Sequence, residues 1–535
     1  MMLPETLKYL WYLAIATRIV HANGSNGVVP VVGRTTGIDE ATGKPPLRMD
    51  INTLEKEGGP MWSGLTPLGI HGMPYAPYND VESVPGGAWG GYCPHQVMSR
   101  ILLPPRRAQI CEMVLKQYYV VASIDYLASR LSPSLRNESA YQEASQKLRL
   151  PYWDWASDST LPPSTTRENI TVNGPNGTMV LRNPLFNYRW QTYPLDPTEF
   201  PGQSSMGPVT TRDEGRDPDF TNSIKDSVYR TFSSATTYDQ MASMAGSGSS
   251  FESPHNAIHN YVGGSFLSLD LTAFDALFML HHCNLDRLAA MWTASRHDTV
   301  QAQPFTSQGL YSTAKGEIIT ADSPLKPFYQ VDGRTFHTGR TMEATEAFGY
   351  TYLEIPDDDQ GRKESVVVQI NRLYGDLAAT QKPTIASPSR REWFVEIKVD
   401  RADLQLPCGI NVYLGDRLAG QTMLLSMPKT GLANDELPLS RAINRLDVDH
   451  NEPGAIERKL ISDLNIKVTK GDTILDPRDI PSLRVTLVGE DVTPPSGESE
   501  LPSYSNRTMV KAILVSTSRS PNGTVDASIG RRWTA

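Results

Sequence analysis

Apolar and polar positions follow a helical repeat through the middle of the chain. Residues 252–262 and 275–293 are the two best examples, and Asp275 stands where the N-cap of a helix is expected. Residues 160–222 are rich in Pro, Asn, Gly and Thr, which predicts a long loop. The helical repeat predicts further helices over 109–131, 138–148, 222–245 and 364–377.

The pattern changes near the C-terminal end, where apolar and polar residues alternate. Because this alternation comes with many β-branched residues, it predicts strands of an antiparallel β-sandwich. We therefore divide the chain into a mainly helical domain over 23–352, a helix and linker over 353–391, and a β domain over 392–535. The predicted strands are the segments EWFVEIKVD, GINVYLGD, SLRVTLVGED and MVKAILVSTS.

Composition narrows the class of protein. The 535 residues are 39% hydrophobic, which is enough for a large core, and the net charge is −9. An acidic chain without a basic stripe is a poor binder of nucleic acid. No run of eighteen apolar residues occurs, so we expect no membrane span. The four cysteines do not pair in CxxC motifs, and we interpret them as buried free thiols rather than a disulfide framework.

The first 22 residues have features of a secretory signal peptide. Lys8 precedes an apolar stretch, and Val20, His21 and Ala22 form a candidate cleavage point, although Arg18 interrupts the stretch. Secretion is one interpretation, and an ordinary N-terminal helix of an intracellular protein is the other. Acceptor motifs for N-glycosylation occur at Asn23, Asn137, Asn169, Asn176, Asn506 and Asn522.

Histidines concentrate in the two best helices. His255 and His259 are four residues apart, so both lie on one face of a helix and both imidazoles can reach one metal ion. His281 and His282 lie on the apolar helix over 275–293. Because adjacent helical residues point about 100° apart, we expect only one residue of this second pair to meet the first pair easily.

The expected burial of these histidines favours metal binding. An imidazole on an apolar helix costs free energy unless its nitrogens are bonded, and a metal ion satisfies one of them. Asp286, one turn after His282, is placed to orient a ligand or to stabilise the helix. Three histidines without a carboxylate suit copper or zinc.

These motifs resemble the second copper site of the fungal tyrosinases and polyphenol oxidases, which are type 3 copper proteins. HNAIH, then Gly263 and Gly264, then DALFMLHHCNLDRLAAMW carry the resemblance, with support from PYWDWASD and FGYTY. Together they cover roughly residues 70–352. The resemblance implies a four-helix-bundle core with long loops. It also implies His255, His259 and His282 as ligands of the second copper, with His281 contacting a ligand instead of the metal.

The resemblance assigns three more residues. Glu252 resembles the acidic residue that holds an active-site water, and Asn256 resembles the asparagine that orients it. Leu269 occupies the position at the mouth over the copper. The implied reactions are the ortho-hydroxylation of monophenols and the oxidation of catechols to o-quinones by O2 at two copper ions, which is chemistry of the melanin type. The implied partners are a phenol and O2, and the oligomeric state stays open.

The first copper site departs from the family. His71 and His95 resemble two of its ligands, and Cys93 matches the cysteine that forms a thioether to the second. Pro104 stands where the third histidine is expected, and proline cannot bind a metal. Either the sequence is misread at this point or the ligand is lost. The second copper site is therefore the more secure of the two.

Several alternatives follow from this departure. The chain is a phenol-oxidising enzyme, a catechol oxidase only, or a degenerate member that does not catalyse oxidation. A zinc hydrolase and an oxygen carrier are further alternatives. In fungal relatives a similar C-terminal domain covers the copper site until proteolysis, so the resemblance implies that residues 392–535 cover the site and that the 353–391 segment is a cleavage region.

Overall fold

The computed structural model describes residues 33–62, 143–296, 304–375 and 389–515, with short gaps inside each range. The predicted leader over 1–22 and the predicted helix over 109–131 lie outside the described residues. Among the described helices, none combines the length and the apolar composition that a membrane span requires.

Helices are the main regular secondary structure of the described part before residue 376. The helix predicted over 252–262 has these bounds, and the one predicted over 275–293 is shifted by one residue. The single helix predicted over 222–245 is replaced in the structure by two helices. The helices are α1 Ile51–Glu57, α2 Pro163–Thr166, α3 Pro218–Ser234, α4 Tyr238–Ala242, α5 Glu252–Val262, α6 Gly264–Leu267, α7 Ala276–Ala294 and α8 Arg362–Tyr374.

Helix α7 lies at the centre of the helical region. It is buried almost along its whole length, as expected for a helix that is apolar on all sides. Its charged residues are partnered: Arg287 Nη2 donates to Glu354 Oε1 at 2.6 Å, and Arg287 Nη1 lies 3.2 Å from Asp154 Oδ2. Asp154 belongs to the PYWDWASD motif, so this motif packs directly on α7.

Helix α8 belongs to the same core. Val366, Ile370 and Tyr374 are buried in the hydrophobic cluster that includes α7. Tyr374 also accepts a hydrogen bond at its hydroxyl from Arg287. We predict this helix as part of a helix and linker after residue 352, but its packing extends the helical core to residue 374.

A β-hairpin interrupts the loop predicted over 160–222. Strands β1 Asn169–Gly174 and β2 Gly177–Arg182 pair antiparallel. Ile170 and Val172 are buried on one face of β1. Two apolar residues in a polar, turn-rich sequence are too short a pattern to stand out, which is why the sequence predicts a loop. Four short strands follow α7: β3 Phe305–Thr306, β4 Ile318–Ile319, β5 Pro324–Tyr329 and β6 Phe336–Thr338.

The C-terminal part forms two four-stranded antiparallel sheets, in the orders β10-β7-β13-β14 and β12-β11-β8-β9. This confirms the predicted change from helices to antiparallel strands. Val395 and Leu487 of one sheet share a hydrophobic cluster with Ile410 and Val468 of the other. The elements are β7 Arg390–Asp400, β8 Cys408–Leu414, β9 Arg417–Leu424, β10 Leu432–Pro438, α9 Ser440–Ile443, α10 Ala455–Asp463, β11 Leu464–Lys470, β12 Thr473–Leu475, β13 Arg484–Thr493 and β14 Ser503–Val515.

A buried ionic network joins the helices to the sheets. Arg230 of α3 lies 2.6 Å from Glu436 of β10 and 2.6 Å from Glu490 of β13. Its guanidinium also lies over the rings of Phe394 and Tyr504. Because charged groups are rarely buried unless they are paired, this network fixes how α3 lies on the first sheet.

Candidate metal centre

Helix α5 ends in a turn that only glycine fits well. Gly263 and Gly264 both have positive φ, at 62° and 52°. A Cβ atom on Gly264 would lie 2.4 Å from the backbone oxygen of Thr211. The turn reverses the chain into α6, and this brings the carbonyl of Phe266 back to the ring of His259, to which it is hydrogen-bonded.

The two histidines of α5 are each held through Nδ1. His259 Nδ1 donates to the carbonyl of Phe266 at 2.7 Å. His255 Nδ1 donates to Oδ1 of Asn256 at 2.8 Å, because the amide nitrogen of Asn256 is used by the carbonyl of Met423. In a neutral imidazole the other nitrogen, Nε2, then carries the lone pair that can bind a metal.

Helix α7 begins at a cap that is itself held in place. Asp275 accepts a hydrogen bond from the backbone N–H of Leu277 at 2.9 Å, as predicted for an N-cap. The guanidinium of Arg212 forms a bidentate ion pair with the same carboxylate. This cap sets the start of the helix and, with it, the direction in which His281 and His282 point.

Four buried histidines meet between α5 and α7. In His255, His259, His281 and His282, the nitrogens that could bind a metal all lie within 4.8 Å of one another. We expect only one of the adjacent pair on α7 to reach the first pair easily, but the structure brings both into the cluster. Trp155 of the PYWDWASD motif packs against the ring of His281, and its indole N–H donates to the carbonyl of that residue.

Burial keeps the histidines of α5 neutral. Loss of water lowers the pKa of His255 to about 4, and the hydrogen bond to Asn256 offsets only part of that effect. Burial also lowers the pKa of His259 well below its usual range, with the nearby His255 adding to the effect. Because neutral imidazole is the form that binds metal ions, both side chains are ready as ligands at neutral pH.

The donor set fits a transition-metal ion. The cluster contains only imidazole nitrogens, which suit copper and zinc and do not suit calcium or magnesium. It is also buried, so an ion in it would be shielded from water. The fold and the cluster therefore define a candidate histidine-based metal centre between two core helices.

The part of the chain that contains this centre is similar to known proteins. Residues 130–295 match the family model for the common central domain of tyrosinase. A tyrosinase of Podospora anserina is 32% identical over 346 residues, which cover 57% of this chain and 59% of that protein. Polyphenol oxidase 2 of Agaricus bisporus is 29% identical over 336 residues, or 58% of each chain. Residues 130–295 are therefore similar to the tyrosinase central domain, and the chain has homologues among fungal tyrosinases and polyphenol oxidases.

The match spans about three-fifths of the length of these two relatives. A recombinant mushroom tyrosinase shares the fold over 90% of this chain and 98% of its own, with a TM-score of 0.74 and 20% identity. The resemblance seen in the sequence motifs is thus confirmed, and the helical region followed by antiparallel sheets is the arrangement shared with that structure.

Asp286 of α7 holds the FGYTY motif through hydrogen bonds to two of its tyrosines. Its Oδ2 accepts hydrogen bonds from Tyr350 at 3.0 Å and from Tyr352 at 2.5 Å, and Arg48 lies 3.5 Å away. Tyr350 and Tyr352 belong to the FGYTY motif. Of the two roles expected for Asp286, these contacts support stabilisation of the helix.

The remaining predicted residues of α5 contact the C-terminal part. Glu252 Oε1 lies 3.0 Å from the guanidinium of Arg401, and Glu252 Oε2 accepts hydrogen bonds from Ser243 and from the backbone N–H of Met244. The amide nitrogen of Asn256 donates to the carbonyl of Met423 at 3.1 Å. Both residues assigned to the active-site water are therefore bonded to residues beyond 389.

Leu269, the residue assigned to the mouth, is also covered by the C-terminal part. It forms a small buried cluster with Met423 and Leu425, against which Leu267 packs. The contacts of Arg401, Met423 and Leu425 with the site are not visible in the sequence, because they join residues more than 130 positions apart. The predicted first-copper residues His71, His95 and Cys93 and the departing Pro104 lie outside the described residues.

Proposed function

We propose that the protein is a copper-dependent phenol oxidase that hydroxylates monophenols at the ortho position and oxidises catechols to o-quinones with O2. The observation that carries this proposal is the buried, carboxylate-free histidine cluster on α5 and α7 within a tyrosinase central domain. Pigment formation of the melanin type is the process that such quinones would serve.

His255, His259 and His282 would hold the second copper ion. The first ion would be held by His71 and His95, with Cys93 linked to His95 by a thioether. Bound copper would supply the one-electron redox steps that couple O2 to the phenol. The protein supplies buried ligands, and Nδ1 hydrogen bonds fix the orientation of the His255 and His259 rings.

Glu252 and Asn256 would handle the substrate proton. A carboxylate and an amide on one turn of α5 can hold a water that accepts the phenol proton. Leu269 would contact the substrate ring at the mouth. In the described arrangement Arg401 and the carbonyl of Met423 occupy hydrogen-bonding positions of Glu252 and Asn256. The water-holding function would therefore require that the C-terminal part moves away.

We infer that the C-terminal part is a shield. Met423 and Leu425 bury Leu269, so a phenol would have no path at this mouth. The two sheets would form the β-sandwich that the sequence predicts, and the core around α5 and α7 would be its four-helix bundle. Cleavage within 353–391 would release the shield, and cleavage after α8 would leave the helical core intact because α8 packs within it. Secretion through the 1–22 leader is part of the same proposal.

A second candidate is a degenerate member of the family. Pro104 at the position of a ligand is the observation that favours it. Such a chain would bind copper in the described cluster and would not couple two ions. Oxidation of catechols without hydroxylation of monophenols is the intermediate case.

The test measures oxygen uptake and quinone formation by the copper-loaded full chain, with a monophenol and with its catechol, before and after limited proteolysis. We expect both substrates to be oxidised after proteolysis and to react slowly before it. His282→Phe should abolish both reactions. His337→Phe is the matched control, because His337 is another buried histidine, on β6, outside the cluster.

Each other outcome rejects a specific part of the proposal. Copper bound without quinone from either substrate favours the degenerate member. Quinone formation from the catechol but not from the monophenol rejects the hydroxylation step and indicates a catechol oxidase. Zinc in place of copper after reconstitution with both metals would exclude oxidation by this site.

A further inference from the structure

The two carboxylate oxygens of Glu252 are bonded to different parts of the molecule. Oε2 accepts from the hydroxyl of Ser243 at 2.9 Å and from the backbone N–H of Met244 at 2.8 Å. Both donors lie in the turn that follows α4. Oε1 lies 3.0 Å from Nη2 of Arg401, which belongs to the C-terminal part. The helical part therefore holds one oxygen of this carboxylate, and the C-terminal part holds the other.

The hydroxyl of Ser243 is fixed as a donor by its own surroundings. Ser243 ends helix α4, where its backbone N–H donates to the carbonyl of Asp239 at 3.2 Å. Its side-chain oxygen accepts from the backbone N–H of Ala245 at 3.2 Å. Because the turn fixes the backbone and Ala245 uses a lone pair of the hydroxyl, the hydroxyl proton is directed to Glu252.

The two donors at Oε2 determine which oxygen of Glu252 can take a proton. A carboxylate oxygen accepts about two hydrogen bonds, one for each lone pair. Ser243 and Met244 supply two at Oε2, so a proton is taken more easily by Oε1. Departure of Arg401 with the C-terminal part, as the proposed function requires, would open that oxygen. Asn256 lies one turn further along α5, on the same face of the helix as Glu252.

We propose that Ser243 is a positioning residue that directs the substrate proton to Oε1 of Glu252. This inference rests on the proposed function, in which Glu252 and Asn256 hold the water that accepts the phenol proton. The water takes the proton of the phenol hydroxyl and passes one of its own protons to Oε1. Phenolate, water and a neutral carboxylic acid result, and Oε2 keeps its two donors throughout. Ser243 thus acts through Glu252 and not on the phenol directly.

The experiment compares phenols of increasing acidity as substrates of the copper-loaded full chain after limited proteolysis. The series is para-methoxyphenol, para-cresol and methyl para-hydroxybenzoate. Ser243→Ala should lower kcat ~10-fold for para-methoxyphenol, because the base loses one of the donors that fix it. The loss should shrink to less than ~3-fold for methyl para-hydroxybenzoate, since a more acidic phenol needs less help in losing its proton. KM and copper content should stay within ~2-fold.

Two further substitutions test whether the hydroxyl is responsible. Ser243→Thr keeps a hydroxyl and should stay within ~3-fold of the natural sequence. Ser243→Val has nearly the same shape without the hydroxyl and should behave like Ser243→Ala. The backbone of Ser243 is extended, with φ −142° and ψ 143°, which β-branched residues adopt readily. Ser247→Ala is the matched control, because Ser247 is an exposed serine of the same segment and its hydroxyl accepts from Gln240.

The outcomes separate this inference from the proposed function. An equal loss for all three phenols, or an unchanged kcat in Ser243→Ala, overturns the role of Ser243 and leaves the oxidase proposal intact. Equal losses in Ser243→Thr and Ser243→Val overturn it as well, because the hydroxyl would then not matter. If Ser243→Ala does not fold, the comparison of these two variants decides. A natural sequence that oxidises no monophenol overturns this inference together with the hydroxylation step.

Discussion

At the scale of single residues, the amide of Asn256 connects two parts of the molecule. Its oxygen accepts from the ring of His255, and its nitrogen donates to Met423 in β9. One turn later Asn260 contacts the same strand through Gln421, but no hydrogen bond between Asn260 and a histidine is found in the described structure. Both asparagines therefore contact β9, but only Asn256 also holds a predicted metal ligand. A comparison of the two can distinguish these roles.

We predict that Asn256→Ala weakens copper binding by ~10–100-fold, because His255 loses the acceptor that fixes its ring and its protonated nitrogen. Asn260→Ala, the control, should stay within ~2-fold of the natural sequence. Copper affinity measured by chelator competition checks both. Equal losses in the two variants would show that the strand contact, and not the orientation of His255, is what matters.

Asp435 is a buried carboxyl group between β10 and α5. Burial raises its pKa to about 6, and hydrogen bonds from Ser253 and Thr422 offset only part of that rise. In the unfolded chain the group has an ordinary pKa near 3.8. The folded protein therefore holds this proton more tightly, and Asp435 contributes stability at low pH that is lost as pH rises from about 4 through 6.

We predict that Asp435→Asn removes this pH-dependent contribution, which is on the order of 2–3 kcal/mol. The free energy of unfolding is measured in denaturant from pH 4 to pH 7, and the difference between the two proteins is the readout. The difference should move in favour of the variant as pH rises. A difference that stays constant with pH would mean that folding does not raise the pKa of Asp435.

At the scale of elements, helices α5 and α7 show what the sequence can predict. Their bounds follow from apolar spacing, the N-cap at Asp275 and the glycines after Val262, all of which are local signals. The structure brings His255, His259 and His282, which the resemblance implies as ligands, into one cluster. The local argument fails for His281, because the angle between adjacent residues on a helix does not say how closely another helix approaches.

The turn between α5 and α6 provides a test of such local signals. Gly264→Ala should lower the free energy of unfolding by about 2–4 kcal/mol, since the new methyl group adds an overlap with Thr211 to the cost of a positive φ. The control is Gly248→Ala, which also has a positive φ but no atom within 4 Å of the added carbon. It should lose about 1 kcal/mol.

Denaturant titrations of the two glycine variants, with unchanged slopes, give these differences directly. Similar losses in both would indicate that backbone conformation alone sets the cost and that the turn can move away from Thr211.

At the scale of the whole molecule, the contacts between helices and sheets could not be predicted from the sequence. The alternating pattern predicts the strands of the C-terminal part, but it does not say which face of the helical region they cover. Arg230, Arg401 and Met423 make these contacts, and each lies far along the chain from its partners. The sequence does not predict the hairpin β1–β2 for a different reason, since each of its strands carries only two or three apolar residues within a turn-rich stretch.

We predict that Arg230→Gln destabilises the protein by about 3–5 kcal/mol, because it leaves Glu436 and Glu490 buried with less positive charge beside them. The sheets should detach more readily, so limited proteolysis between the helical and C-terminal parts should be faster. The control is Arg478→Gln, whose side chain is 80% exposed and pairs with Asp476. It should change stability by less than ~1 kcal/mol.

Thermal unfolding and the rate of proteolysis are measured on the same samples of both arginine variants. Retention of the natural proteolysis rate by Arg230→Gln would show that the network is not what holds the two parts together.

The two-sided amide of Asn256 has a thermodynamic consequence. If detachment of the strand changes how firmly His255 is held, then metal affinity differs between the attached and detached forms of the chain. Reciprocity then requires that the ion shift the attachment equilibrium by the same factor. Metal binding and exposure of the substrate entrance would then be thermodynamically coupled, so that each changes the equilibrium constant of the other.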